Sequence, residues 1–213
     1  MTPDVLVDAD IPESPVAADG RRSVPKLIVI SAPSGCGKTT IAREILNRHP
    51  EMAFSVSATT RPRRENEKEG VDYFFSTKEE FRKNIDKGAL VEWEEIYGNF
   101  YVTLKREIDR ALYSGRSMLF DVDVKGALSI KRRYPHETVL IFIEPPSMEI
   151  LMERLRNRKT ETEETIRSRL ERVPMEMKQG ELFDVSIVND DLQEAIRCVD
   201  EVVRAKLTAP VGS

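Results

Sequence analysis

The sequence predicts an α/β fold built on a doubly wound parallel sheet, and three observations carry that prediction. Five short apolar runs recur along the 213 residues: Leu27–Ser31, Phe54–Ala58, Met118–Val122, Val139–Ile143 and Asp184–Val188. Amphipathic stretches of helical period follow most of them. A glycine-rich turn joins the first run to the first such stretch. Apolar strands alternating with helices describe a sheet covered on both faces.

Taken in order, residues 1–24 hold three prolines, five carboxylates and no periodic apolar face, and read as a flexible tail. LIVIS at 27–31 has no polar face, as a strand buried on both sides requires. Lys38–Arg48 is the first helix. Residues 60–103 break the alternation: DYFFS reads as a strand, STKEEFRKNIDKG as a short helix, and ALVEWEEI and GNFYVT as two more strands. Thr77 and Glu80 have capping-box spacing, and Gly88 stands just past that helix. Such a mixed insertion between parallel strands suits a substrate-binding lobe. Val124–Tyr134 follows the third run and stops before Pro135. Ser147–Arg158 opens on an N-cap serine with Ile150, Leu151 and Leu155 on one face. Thr162–Lys178 is amphipathic with Pro174 as a point of bending, Leu192–Lys206 closes the fold, and residues 207–213 read as loose.

Composition bounds the chemistry. Apolar residues are 40% and charged residues 33%, a folded rather than disordered mix. The net charge of -4 gives no overall attraction for nucleic acid, so any anion site is a local concentration of cations and backbone N–H groups. No apolar run reaches the roughly 18 residues that span a bilayer, and the acidic start lacks a signal peptide's basic and apolar regions. Cys36 and Cys198 are far apart and in no metal-ligand spacing. These features predict a soluble cytoplasmic protein without disulfides or membrane or nucleic-acid partners; they leave oligomeric state open.

The strongest local signal is Ala32-Pro33-Ser34-Gly35-Cys36-Gly37-Lys38-Thr39, between a strand and a helix. Glycines let successive N–H groups curl inward, and the helix N-terminus behind them completes a phosphate cradle. Lys38 then supplies a point charge for the β- and γ-phosphates, and Thr39 a hydroxyl for Mg²⁺. Ala32 replaces the usual first glycine of such a P-loop. Asp121 and Asp123 end the third run, where a carboxylate can orient the metal's waters or cap the next helix. Cys36 reads as a small filler, and His49 and His136 read as surface residues near helix ends.

Ser57-Ala58-Thr59-Thr60-Arg61-Pro62-Arg63-Arg64, then Glu67, Gly70, Asp72 and Tyr73, resembles the guanylate kinase signature and aligns without gaps. Val91-Glu92-Trp93, Gly98-Asn99-Phe100-Tyr101 with Thr103, Asp121-Val122-Asp123 with Gly126, Arg158 with Thr160-Glu161-Thr162, Arg169 and Val188-Asn189-Asp190-Asp191 continue the resemblance, over roughly residues 25–206. Read alone, Arg-Pro-Arg-Arg is a solvated loop and Glu92 one exposed position of an alternating strand; the flanking signature reverses both readings.

The resemblance implies a P-loop nucleotide-binding core at 25–59 and 104–206, a GMP-binding lobe at 60–103 and a helical lid at about 155–170. It implies transfer of the γ-phosphoryl group from ATP to GMP, and to dGMP, with Mg²⁺ as cofactor. ATP would lie along residues 32–39 and Thr40, with Arg158 closing over it and Asn189 near the adenine. Arg61, Arg64, Tyr73 and Tyr101 would hold the GMP phosphate, and Glu92 and Thr103, with Ser57 and Asp123, the guanine. Lys38, Arg61, Arg158 and Arg169 would be catalytic, and Thr39 and Asp121 would attend the metal, Asp121 through water. A carboxylate matches guanine's N1–H and N2–H₂, which adenine cannot offer, so the wrong base would leave Glu92 unpaired.

Val102, Lys125 and Lys159 depart from the family's usual residues. Val102 in particular is expected to shift the base pocket beside Thr103. Two other readings are a kinase for a different phosphorylated acceptor and a non-catalytic binding module. The retained Gly35, Gly37, Lys38 and Thr39 weigh against the module, and the Thr59–Arg64 segment with Glu92 weighs against another acceptor.

Overall fold

The computed structural model describes residues 24–63, 67–71, 73–86, 90–96, 98–157 and 163–208; for residues 86, 92, 94, 96 and 165 it describes the backbone alone. The core sheet consists of β1 (Leu27–Ser31), β2 (Ala53–Phe54), β7 (Met118–Asp121), β8 (Thr138–Glu144) and β9 (Val185–Val188), all parallel in the order β2-β7-β1-β8-β9. A second sheet, ordered β4-β3-β6-β5, joins β3 (Ala58–Thr59), β4 (Phe74–Phe75), β5 (Leu90–Ile96) and β6 (Asn99–Leu104).

Each core strand sends alternate residues to opposite faces, so two apolar layers form. Ile28, Ile30, Leu119, Ile141 and Ile143 pack on one side against Ile41 and Ile45 of α1 (Lys38–Arg48) and Val199 and Val203 of α7 (Leu192–Thr208). Leu151 and Leu155 of α5 (Met148–Arg156) and Val173 of α6 (Glu163–Gly180) complete that layer. Leu27, Val29, Phe120 and Leu140 face the other side, under Ile108 of α3 (Lys105–Tyr113) and Ile130 of α4 (Val124–Arg133). Strand β1 lies centrally between β7 and β8, so the loop leaving it opens at the crevice where the winding reverses.

The five-stranded parallel sheet agrees with the expectation, and β1 and α1 do so to the residue. Ser147 caps α5 by accepting from Ile150 N at 3.3 Å. The capping box of α2 (Lys78–Asp86) forms as expected: Thr77 N donates to Glu80 at 2.8 Å and Glu80 N to Thr77 Oγ1 at 3.1 Å. Helix α6 runs continuously through Pro174.

Three expectations are corrected. The run Phe54–Ala58 is two strands: Ala53–Phe54 pairs with β7, and Ala58–Thr59 pairs with β4 and β6 in the other sheet. Helix α3 was not expected, because Leu104 stands at its N-cap without a capping side chain; its signal lay in the Ile108, Ala111, Leu112 spacing and in Gly115 just beyond. His49 is buried, at 6% exposure. Its Nε2 lies 2.7 Å from Asp200 Oδ1 on α7 and its Nδ1 3.1 Å from Glu51. His136, by contrast, is exposed.

Asp200 also accepts from Arg204 at 3.0 Å and lies 3.5 Å from Arg48, so it ties α7 to the end of α1. Burial raises its carboxyl pKa, but the bonds and charges of His49 and Arg204 outweigh burial and leave it below the ordinary value. A depressed carboxyl stabilises the fold above its unfolded pKa and loses that stabilisation as pH falls through the folded value. Asp200→Asn is expected to cost about 1–2 kcal/mol at neutral pH, a gap that closes below roughly pH 4, measured by urea unfolding across pH.

Candidate active site

The loop 32–37 climbs from β1 into α1 with left-handed backbone at Gly35 (φ 100°) and Gly37 (φ 81°), where a side chain would be strained. Gly37 is also a point of close approach: a Cβ there would meet Asn189 Nδ2 at 2.7 Å. That amide, 3% exposed, donates to the Cys36 carbonyl at 2.8 Å and holds the loop from behind. The structure thus commits the Asn189 side-chain nitrogen to the loop itself.

At the loop mouth the Lys38 ammonium lies 2.7 Å from Asp121 Oδ1 and donates to the Val122 carbonyl at 2.7 Å. Thr39 Oγ1 donates to the other Asp121 oxygen at 2.7 Å. One carboxylate from β7 therefore orients both groups that the sequence singled out for phosphate and metal. These hard oxygens on Thr39 and Asp121, beside a phosphate cradle, fit a magnesium ion that keeps much of its water. From α6, Arg169 donates to Ser34 Oγ at 2.5 Å. A cavity of about 280 Å³ joins these parts, lined by residues 32–40, Asp123, Arg169, Arg172 and Glu176.

In the lobe, Arg61, Tyr73 and Tyr101 come together. Tyr73 and Tyr101 make an edge contact at 5.9 Å between centroids, and the Arg61 guanidinium lies 5.4 Å from the Tyr73 ring. Arg61 grips Glu67 with two parallel bonds, 3.0 and 2.6 Å, which hold its fork in one plane. The hydrogen bond to Glu67 raises the Arg61 pKa further. Burial, then the neighbouring Tyr101, pushes the Tyr73 phenol up, so it stays a donor.

Register decides where Glu92 goes. Leu90 pairs with Leu104, but the next pair is Glu92 with Thr103, so β5 carries one extra residue at Val91. Without that bulge Glu92 would oppose Val102, on the face that packs against Phe81 of α2. With it, the register partner of Glu92 is Thr103. Val102 is 4% exposed in the lobe's apolar core with Ala58 and Phe81, directed away from Thr103's face. Its methyls thus fill the core, where glycine would leave space. Asp123 caps α4 by accepting from Gly126 N at 2.7 Å. Ser57 lies between the two sheets, its carbonyl accepting from Phe74 N at 3.0 Å.

Arg64 and Arg158 lie outside the described residues, as do Asp72, Gly88, Lys159 and residues 160–162; the Glu92 side chain does too. Sequence reasoning assigned no role to Glu67, Arg172 or Glu176. Only the folded loop shows Glu67's partner. Arg172 and Glu176 have the i,i+4 spacing of an ordinary surface pair, yet Glu176 is 8% exposed. A larger cavity, about 770 Å³, opens on the α2 side of the lobe among Phe74, Phe81 and Phe100, and Arg61, Tyr73, Tyr101 and Thr103 are not among its described lining residues. Among the described residues no helix is long and apolar enough to cross a membrane.

A phosphate-binding loop on a doubly wound sheet, facing a lobe that presents an arginine and two tyrosines, defines the class: a P-loop nucleoside monophosphate kinase. The comparisons with known proteins make the assignment particular. The family model for guanylate kinase matches residues 24–206. The chain is 48% identical over 176 residues to a guanylate kinase of Chlorobium luteolum, covering 83% of this chain and 89% of that one. It is 42% identical over 181 residues to a guanylate kinase of Thermotoga maritima, covering 85% and 87%. The crystal structure of guanylate kinase from Anaplasma phagocytophilum superposes with a TM-score of 0.72 at 33% identity, covering 90% of this chain and 93% of that one. The chain belongs to the guanylate kinase family.

Proposed function

We propose that the chain performs its family's ATP:GMP phosphotransfer with the particular residues assembled above, and that it accepts dGMP as well as GMP. The observation that carries the residue assignment is the single Asp121 carboxylate orienting both Lys38 and Thr39, together with a lobe that gathers Arg61, Tyr73 and Tyr101. Phosphoryl transfer needs little covalent chemistry; it needs an acceptor oxygen in line and neutralised charge on the transferring group.

Loop N–H groups of residues 32–39, with Thr40 at the start of α1, cradle the ATP phosphates, and Asn189 supports that loop near the adenine side. Lys38, Arg158 and Arg169 surround the γ-phosphoryl group. Arg61 and Arg64, with Tyr73 and Tyr101, hold the acceptor phosphate against repulsion from ATP. Glu92 takes guanine's N–H donors and Thr103 donates to O6, with Ser57 and Asp123 close by. Thr39, and Asp121 through water, would hold the Mg²⁺ that accompanies ATP, which would supply further charge neutralisation. The working division is a core at 25–59 and 104–206, a lobe at 60–103 and a lid at about 155–170, whose closure excludes water. Cys36 and Cys198, neither of them in a disulfide, suit a reducing cytoplasm.

The test is ADP release from ATP with GMP, dGMP, AMP, UMP and CMP in turn. Turnover confined to the two guanine acceptors is expected; comparable turnover with AMP overturns the acceptor assignment. In the same assay Glu92→Gln is expected to raise KM for GMP by ~10-fold or more and to leave KM for ATP nearly unchanged. Equal losses for both nucleotides would place Glu92 elsewhere.

A further inference from the structure

We propose that Arg172 is a positioning residue for the acceptor, tying helix α6 to the acceptor side by holding the Asp123 carboxylate. The inference rests on the reading above that Asp123 borders the guanine. Arg172 stands one turn after Arg169 on α6, and both line the phosphate-loop cavity. Its Nη2 lies 3.9 Å from Asp123 Oδ2, and its Nε lies 3.6 Å from Glu176 Oε1, one turn further on. Asp123 Oδ1 is committed to the Gly126 N–H, as the cap of α4. Its Oδ2 is buried and has no hydrogen-bond partner among the described residues, so the guanidinium is the cation facing it.

Charge explains why a cation belongs there. Asp123 and Glu176 place two carboxyl groups in a cavity that also receives phosphate anions. Burial pushes the Glu176 carboxyl up, Arg172 draws it back, and Asp123 raises it further. A planar fork reaches both acids at once, Nη2 towards one and Nε towards the other, which a lysine point charge does less well. The same helix holds the loop through Arg169 on Ser34, so α6 touches the donor side with one arginine and the acceptor side with the next. Guanine engaging Asp123 then biases the helix that carries Arg169, by linkage through one rigid element.

The test is steady-state kinetics of Arg172→Met, Arg172→Lys, Asp123→Asn and the double variant Arg172→Met/Asp123→Asn, each with Tm recorded. Arg172→Met is expected to raise KM for GMP ~5- to 10-fold, with kcat within about 3-fold and KM for ATP within about 2-fold. Arg172→Lys should fall between Met and wild type. The double variant should be no worse for GMP than Asp123→Asn alone, because the arginine acts through that carboxylate. If Asp123→Asn leaves KM for GMP unchanged, the acceptor reading of Asp123 fails and takes this inference with it. If Asp123→Asn raises that KM but Arg172→Met does not, or the two effects multiply, the acceptor reading survives and the proposed link is overturned.

Discussion

Lys38→Ala is expected to lower kcat by at least ~10²-fold while the protein stays folded, because a preorganised charge partner of the transferring phosphoryl group is lost. Lys38 opens α1 at the point where the loop N–H groups and the helix N-terminus converge, so its ammonium and these dipoles act on the same anion. The ammonium is already aimed: Asp121 and the Val122 carbonyl hold it from one side at 2.7 Å each. Its removal leaves Asp121 still accepting from Thr39, so the stability cost is about 1–2 kcal/mol, small beside a domain's total. An ADP-release assay with a matched far-UV spectrum and Tm checks both halves. Turnover near the wild-type rate would refute the role of Lys38. Lys38→Arg should also be impaired, since a fork does not fit where a compact charge does.

Arg61→Met is expected to raise KM for GMP ~10- to 100-fold, the range for losing a charge-assisted bond of about 1.5–3 kcal/mol. Two effects add at this site. The phosphate loses its two-pronged donor, and Glu67, now without the guanidinium that grips it at 3.0 and 2.6 Å, turns a negative charge towards an anionic substrate. The second effect separates from the first in Arg61→Met/Glu67→Gln, which should recover part of the loss. KM for ATP should be nearly unchanged in both variants, because Arg61 lies in the loop after β3 of the lobe, outside the phosphate-loop cavity. A matching rise for ATP would show that the lobe variant disturbs the core, and the assignment of Arg61 would be withdrawn.

What could be read without coordinates had local causes. β1 and α1 were legible to the residue because burial shows as an unbroken apolar run, and the loop's glycines sit where left-handed backbone is required. The capping box at Thr77 was legible because its partners are three residues apart. Helix α3 was equally readable in its Ile108, Ala111, Leu112 spacing, and was overlooked because no capping side chain announced it.

The rest depended on partners far along the chain. Phe54 and Ala58 share one β-like run, yet they serve different sheets, because β7 offers pairing to the first and β6 to the second. His49, at a helix end, looked like a solvent residue until α7 brought Asp200 against it from 151 positions away. Arg172 and Glu176 have the spacing of an ordinary surface pair, and only the approach of Asp123, at the N-cap of α4, gives the pair a task.

The chain's own pattern thus determined that there would be a parallel sheet, a phosphate cradle after its first strand and a signature-bearing lobe, since these follow from side-chain period, glycine conformation and residue type. Tertiary structure alone decided that Asp121 holds Lys38 and Thr39 together, that Glu67 aligns Arg61, and that an extra residue at Val91 puts Glu92 in register with Thr103. The physical reason is range: conformational preference acts over a few neighbouring residues, whereas a site's charges and register are set by strands and helices that meet only once the core has formed.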